Sequence, residues 1–575
     1  MTRSRFEFVM SSRWVQTGIP LVTLALLVWT ARFWHSGGFG LYEDDYSRIP
    51  DGMGMTWPQL VHQVSRNFQH LSDHGLPLHG SLILFLSHVS QRLGGLGVGY
   101  FIGYLLVAAN TYLFYALLRR LHSPSLGLMG GVAYALFSAD TTQAFLTHAF
   151  GLQPSMSFIL LAFHSYLSKR RVLAFALAAL TLFTYETVYP AFLAAPLLVT
   201  APDRNRSKAW IAHAIGLVAI LLAVTVLRLA VGESRVSGMN ASALVATSLT
   251  HMAQGPLVSL GTYLYRPIQA LASGSPEVYL AASLAFFPLA AVFSALKVGE
   301  KISTQELRAF LRGDFAFTRL APHAQALVRL GLVGLFMLVM AYPLTLTVRG
   351  YAVSGRDTRV HFAAVLGASV IIAVLWMLLL KTVSAGRKRV LANVMAALLF
   401  SLLLGSGFLV QKDYVMAWMY QQEFWESLLP LVHDASSGTV ILIDPEGLPY
   451  TRQIEAISWN VSRVLSRLYD FPASWEKPPT VYRLVPVWRE RIITEDGLVR
   501  LNELTTAAPP SLYRTVESSK VILIETAGGH LRRRQEPLRL GEDTLRLSAD
   551  MNGDLYSFPG GILYQYLIDD QRNRP

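Results

Sequence analysis

The sequence predicts a polytopic α-helical membrane protein with about eleven spans, followed by a soluble domain of α/β or α+β type. Three observations predict this. Hydrophobic residues make up 52% of the 575-residue chain and charged ones only 15%, against about 25% charged in an ordinary soluble domain. The apolar residues are gathered into long runs. Short clusters of Lys and Arg fall between those runs, where they orient helices rather than bind nucleic acid, although the formal net charge is +12. The chain has no cysteine, which excludes disulfides, thiolate metal sites and cysteine nucleophiles.

Residues 1–18 are basic and lead into the first apolar run, 19–34, without a small-residue cleavage site, so the run reads as an uncleaved span. Arg3, Arg5 and Arg13 before it place the N-terminus in the cytoplasm. The chain then emerges on the outer face with three consecutive carboxylates, Glu43, Asp44 and Asp45. Segments of about 43–95 and 232–276 read as outer-face surface helices. Within the first, residues 56–71 are too polar to span, yet Leu60, Val61, Val64, Phe68 and Leu71 recur near helical spacing. Residues 77–89 form a short, shallow or re-entrant helix, and 98–118 return the chain to Arg119 and Arg120.

Short spans follow at 126–137, 154–167, 173–184 and 189–199. Longer ones follow at 211–231, 278–296, 326–346, 362–380 and 391–410. An odd number places the C-terminus outside, in agreement with the basic clusters on the inner side, and a bacterial plasma (inner) membrane is the expected location. From residue 411 the composition is that of a soluble domain. Residues 439–444 and 520–525 are strand-length, β-branched runs, and 452–469 has helical spacing. The expected division is therefore a transmembrane domain, 1–410, and an extracytoplasmic domain, 411–575.

No Walker-type phosphate loop, Gly-x-Ser-x-Gly or His-Glu-x-x-His occurs, which argues against ATP hydrolysis. Polar residues gather instead on the outer side: Glu43 to Asp45, His70, Asp73, His74, His79, Asp140, His148, Glu186, Arg349, Arg356 and Arg359. A carboxylate beside a hydroxyl can act as general base, and arginine matches phosphate with a fork of donors. Any one such group is equally well an interfacial charge; three adjacent carboxylates are harder to dismiss. His70 and His74 share a helix face with Asp73 beside them, the spacing of candidate ligands for a divalent metal or of a wet helix face. No other cofactor is implied. Glu186, just after an apolar run and before Pro190, can reach the same cavity, and Arg266 in Tyr263-Leu-Tyr-Arg-Pro267 can meet a lipid phosphate or anchor the interface.

In this order the features resemble the GT-C superfamily of integral-membrane glycosyltransferases, which use polyprenyl-phosphate-linked sugars. The acidic pair after the first span is matched within Glu43-Asp44-Asp45, and the long second span ends in Arg119-Arg120. Three stretches are similar to the branch of protein O-mannosyltransferases and their bacterial relatives. They are His-Gly-Leu-Pro-Leu-His-Gly at 74–80, Thr-Tyr-Glu-Thr-Val-Tyr-Pro at 184–190 and Gly-Arg-Asp-Thr-Arg-Val-His at 355–361. The resemblance covers about residues 15–410. It implies inverting transfer of a sugar from a polyprenyl-phosphate donor to a hydroxyl on protein, lipid or glycan. Asp44 or Asp45 would be the base, with Glu43 the third member of the group. Arg349, Arg356, Arg359 and Arg266 would face the donor phosphate, and His74, His79, His148 and Glu186 the substrate. The alternative is a transporter, or a non-catalytic lipid-binding or scaffold protein, with the same cavity.

Overall fold

The computed structural model describes residues 13–71, 75–199, 206–232, 240–296, 320–345, 349–383, 386–455, 461–485, 515–540 and 552–569, with Ile302, Leu547 and short pieces at 494–495, 498–500 and 543–545. Among these, eight helical segments are long and apolar enough to cross a membrane. They are Gly18–Gly38, Leu96–Leu121, Leu146–Leu167, Ser207–Ala230, Pro276–Ser294, Pro322–Val339, Ala364–Thr382 and Arg387–Leu431.

About eleven were expected, and length accounts for the difference, because a helix rising 1.5 Å per residue needs about 20 residues to cross the hydrocarbon layer. Pro124–Ala135 has 12 residues and Arg171–Thr184 has 14. Glu186–Leu198 winds as a 3-10 helix of 13 residues with Pro190 and Pro196 inside it. Proline supplies no N–H and clashes with the carbonyl four residues back, so the α pattern does not run through.

The polar helix expected at 56–71 is present as Trp57–Gln69, opened by a reciprocal capping box between Thr56 and Gln59. It buries Leu60 and exposes Trp57, Val61 and Phe68. The helix expected at 77–89 is Pro77–Leu93, packed against Asp45–Gly54 and Trp57–Gln69. The segment at 232–276, expected to be helical, contains one helix of 32 residues, Ala241–Ala272, with Pro256 and Pro267 inside it. Its exposed face carries Val245, Leu249, Leu257, Leu264 and Ile268.

The division at residue 410 falls inside a helix. Arg387–Leu428 is continuous over 42 residues, about 63 Å at 1.5 Å per residue, twice the thickness of the hydrocarbon layer. Apolarity ends near residue 410, but helical hydrogen bonding does not. Beyond that point the helix buries Tyr414, Trp418, Gln421, Gln422 and Trp425. Tyr42 and Tyr46, near the exit of the first helix, hydrogen-bond to Tyr414 and Gln421.

After the long helix comes a four-stranded mixed sheet. Val440–Ile443 pairs in parallel with Thr480–Arg483 on one side and Val521–Ala527 on the other, Val440 lying opposite both Thr480 and Val521. His530–Arg533 closes the edge antiparallel to Val521–Ala527. The hairpin between them turns at Gly528 and Gly529, φ 61° and 84°, values that glycine adopts without a steric penalty. The two inner strands are apolar without alternation because both faces are covered. Ile441, Ile443, Ile522 and Ile524 join the core shared with the helices, while Val440, Leu442, Val521 and Leu523 fill a second core. Of the helix expected at 452–469, the described residues give a non-helical stretch at 452–455, with Glu455 bridged to Tyr450, then a 3-10 turn, Val461–Arg463, and a single helical turn, Leu465–Leu468.

Candidate functional site

The first helix ends in a π-helical turn, Trp29–Phe33, and a 3-10 turn, Ser36–Gly38, before the acidic stretch. Glu43 takes φ 46°, one of three non-glycine residues with positive φ among those described. For an L-residue that conformation costs about 1–2 kcal/mol, and it persists where the surroundings over-determine it. Those surroundings are visible. The Tyr42 hydroxyl donates to the Tyr414 carbonyl at 2.9 Å, the Tyr100 hydroxyl reaches the carbonyls of Gly40 and Ala144, and Gly40 lies flat against the Trp418 indole.

The three carboxylates point to different partners. Asp45 is fully buried and accepts four hydrogen bonds: from Thr147 N and Oγ1 at 2.8 and 2.7 Å, Leu146 N at 3.2 Å and Tyr42 N at 3.3 Å. It caps the helix Leu146–Gly151 from a distant part of the chain, meeting N–H groups that have no partner inside that helix. Burial pushes the Asp45 carboxyl up to about 7, and these hydrogen bonds pull the other way. Both oxygens are committed, so Asp45 is placed to hold structure rather than to take a proton. Asp45→Asn puts an amide N–H against donor groups and is expected to cost about 1–3 kcal/mol, read as a lower thermal unfolding midpoint. An unchanged midpoint with activity lost would return Asp45 to the chemistry.

Glu43 and Asp44 face two arginines. The Arg356 Nε lies 3.3 Å from the Glu43 carboxylate and its Nη1 3.5 Å from that of Asp44, while the Arg359 Nη1 lies 3.8 Å from Asp44. Burial lifts the Glu43 carboxyl to about 7 despite Arg356 beside it.

The arginines sit on a 3-10 turn, Arg356–His361, held from several sides. Gly355 has φ 71°, and a Cβ there would lie 2.8 Å from the Gln453 carbonyl, so both backbone and space require glycine. Its N–H donates to the Gln453 Oε1 at 2.9 Å, which also accepts from the Thr141 hydroxyl at 2.8 Å. The Thr141 N–H donates to the Thr358 hydroxyl at 3.0 Å. At the far end His361 lies 2.8 Å from both the Tyr342 hydroxyl, at Nδ1, and the Ala352 carbonyl, at Nε2. Its proton is therefore on Nε2, and burial pushes its pKa down to about 4.

Other expected residues are distributed differently. Arg349 is exposed, its guanidinium over the Tyr351 ring. Arg266 is buried and bonds to Gln269 and the Val353 carbonyl, so it braces the segment leading into the arginine turn. Glu186 pairs with Arg228 at 3.5 Å rather than with the acidic turn. His79 packs against Gly151. His148 is buried and stacked on Phe145 at 4.9 Å, within electrostatic reach of Arg359, Arg356 and His79. His70 is exposed at the end of the surface helix, Asp73 and His74 lie outside the described residues, and among those described no three His, Asp or Glu gather as a metal site.

Two contributions escaped the sequence reading. The C-terminal domain reaches the site through Gln453 and through Arg467, whose guanidinium takes both Asp51 oxygens at 3.0 Å. Arg32, inside the first span, is buried and donates to the carbonyls of Ala135 and Phe137. A lone arginine in an apolar run is itself a signal, since a charge within the bilayer is costly and is kept where it has a partner or a task.

No family model matches this chain, and no curated protein matches it.

Proposed function

We propose that the chain is a glycosyltransferase of the GT-C type, moving a sugar from a polyprenyl-phosphate-linked donor to an acceptor hydroxyl at the outer face of a bacterial plasma membrane. The observation that carries this reading is the meeting of Glu43 and Asp44 with Arg356 and Arg359, which sets a general base beside a phosphate clamp.

Glu43, lifted toward neutrality, takes the proton of the acceptor hydroxyl as the acceptor oxygen bonds to the anomeric carbon. The bond from that carbon to the phosphate oxygen breaks on the opposite face. Polyprenyl phosphate leaves with the electron pair, and its charge is met by Arg356 and Arg359. A single displacement inverts the anomeric centre. Asp44, between the two guanidinium groups, sets their spacing, and Asp45 holds the turn onto the helix at Leu146.

The test uses the full chain in lipid nanodiscs with a panel of radiolabelled polyprenyl-phosphate sugars. Arg356→Ala removes a charge-assisted contact of about 1.5–3 kcal/mol and is expected to raise the donor KM roughly 10- to 100-fold. A wild-type protein that neither binds polyprenyl phosphate nor turns over any donor in the panel overturns the reading.

A further inference from the structure

Around Arg32 and Asp140 lie small, mostly apolar cavities with a few polar side chains in their walls. Three adjoining cavities share Arg32 and Asp140 among their lining residues, and two of them share Gln153 and Phe362. Arg32 is carried on the π-helical turn of the first helix, a local widening that occurs often at functional positions. Asp140 lies within electrostatic reach of it and accepts from the Thr142 N–H and hydroxyl at 2.9 and 2.7 Å. Gln153 holds its Oε1 toward Asn110 at 3.0 Å. His148 lines the same pocket and is only 6% exposed. Among the described residues, neither of its ring nitrogens has a hydrogen-bond partner. Leaving a buried polar atom unpaired costs about 1–3 kcal/mol, so such a ring in a native fold calls for an explanation.

We infer that this pocket receives the sugar ring of the donor and selects an uncharged ring. This rests on the transferase reading above. His148, Gln153, Arg32 and Asp140 offer donors and acceptors of the kind that ring hydroxyls require, and Phe362 supplies an apolar wall. Arg32 and Asp140 cancel in charge, so a uronate or an amino sugar would bring an uncompensated charge into a desolvated space. The pocket is narrow as it stands, so a ring fits only once the half-buried Gln143 and Gln153 side chains turn aside. His148, close to the arginine turn, lies at the end of the pocket where the sugar joins its phosphate.

Direct binding to the full chain in nanodiscs tests this with three probes: bare polyprenyl phosphate, a polyprenyl-phosphate hexose and a polyprenyl-phosphate uronate. Wild type is expected to hold the hexose lipid about tenfold more tightly than the other two, equivalent to about 1.4 kcal/mol. His148→Phe and Gln153→Leu are each expected to abolish that preference while binding bare polyprenyl phosphate as wild type does, which also certifies that they are folded. Arg356→Ala weakens all three probes. Hexose preference persisting in both pocket variants, or a uronate bound as well as the hexose, overturns the inference. Wild type binding bare polyprenyl phosphate without any sugar preference overturns it too, but leaves the phosphate clamp standing. Wild type binding none of the three sinks the transferase reading itself.

Discussion

Glu43→Gln is expected to slow transfer by roughly 10²- to 10⁴-fold, the usual contribution of a positioned general base, while the protein stays folded. Glutamine keeps the size of the side chain but loses both the ability to take a proton and the charge that faces Arg356. The pH profile sharpens the expectation. Burial raises the Glu43 carboxyl from 4.5 to about 7, so the group is protonated and idle below that value and ionised above it. Wild-type kcat/KM is therefore expected to climb with pH and level off above about 7, and Glu43→Gln to remove that climb.

The buried Asp45 is also raised to about 7, so the profile alone does not assign the base; loss of the inflexion in the Glu43 variant does. Asp44→Asn is expected to act mainly on donor KM, because Asp44 spaces Arg356 and Arg359. Full activity in both single variants and in the double would falsify the catalytic assignment.

Gly40→Ala is expected to damage stability and activity together. A Cβ at this position would lie 1.8 Å from the Trp418 ring, and Trp418 is itself buried on the helix Arg387–Leu428. Overpacking of this kind costs about 1–3 kcal/mol, occasionally more. The strain falls between the acidic turn and the long helix, so the carboxylates shift as the helix is pushed away. Trp418→Ala alone leaves a cavity worth about 3–5 kcal/mol.

In the double variant the new methyl group occupies part of that cavity, so the two losses are expected to be less than additive, as for residues in direct contact. Thermal unfolding of the four proteins measures this. Strict additivity would show that the turn and the helix do not meet as described.

The helix Trp57–Gln69 and the two inner strands were legible beforehand, each for a local reason. The Thr56–Gln59 capping box and the apolar spacing after it specify a helix wherever it lies. The β-branched runs that became Val440–Ile443 and Val521–Ala527 are strand-forming before any partner is known. Span counting failed where it relied on short runs. Pro190 and Pro196 turn one into a 3-10 helix, and the 12 residues of Pro124–Ala135 are below spanning length. Hydropathy changes near residue 410, whereas the helix that crosses this point ends only at Leu428.

By itself the sequence determined that this is a helical membrane protein, that three carboxylates follow its first helix and that arginines recur late in the chain. Those properties follow from composition, run length and residue type, which need no partner. Only the tertiary structure decided how the three carboxylates divide. Asp45 is drawn to the N–H groups of Leu146 and Thr147, and Glu43 and Asp44 to Arg356 and Arg359. It also decided that Arg32 lies within electrostatic reach of Asp140 and that Gln453 of the C-terminal domain holds the arginine turn in place. Neighbouring residues share a composition but not an environment. Desolvation, hydrogen-bond supply and the nearest opposite charge are set by segments that meet only when the chain has folded.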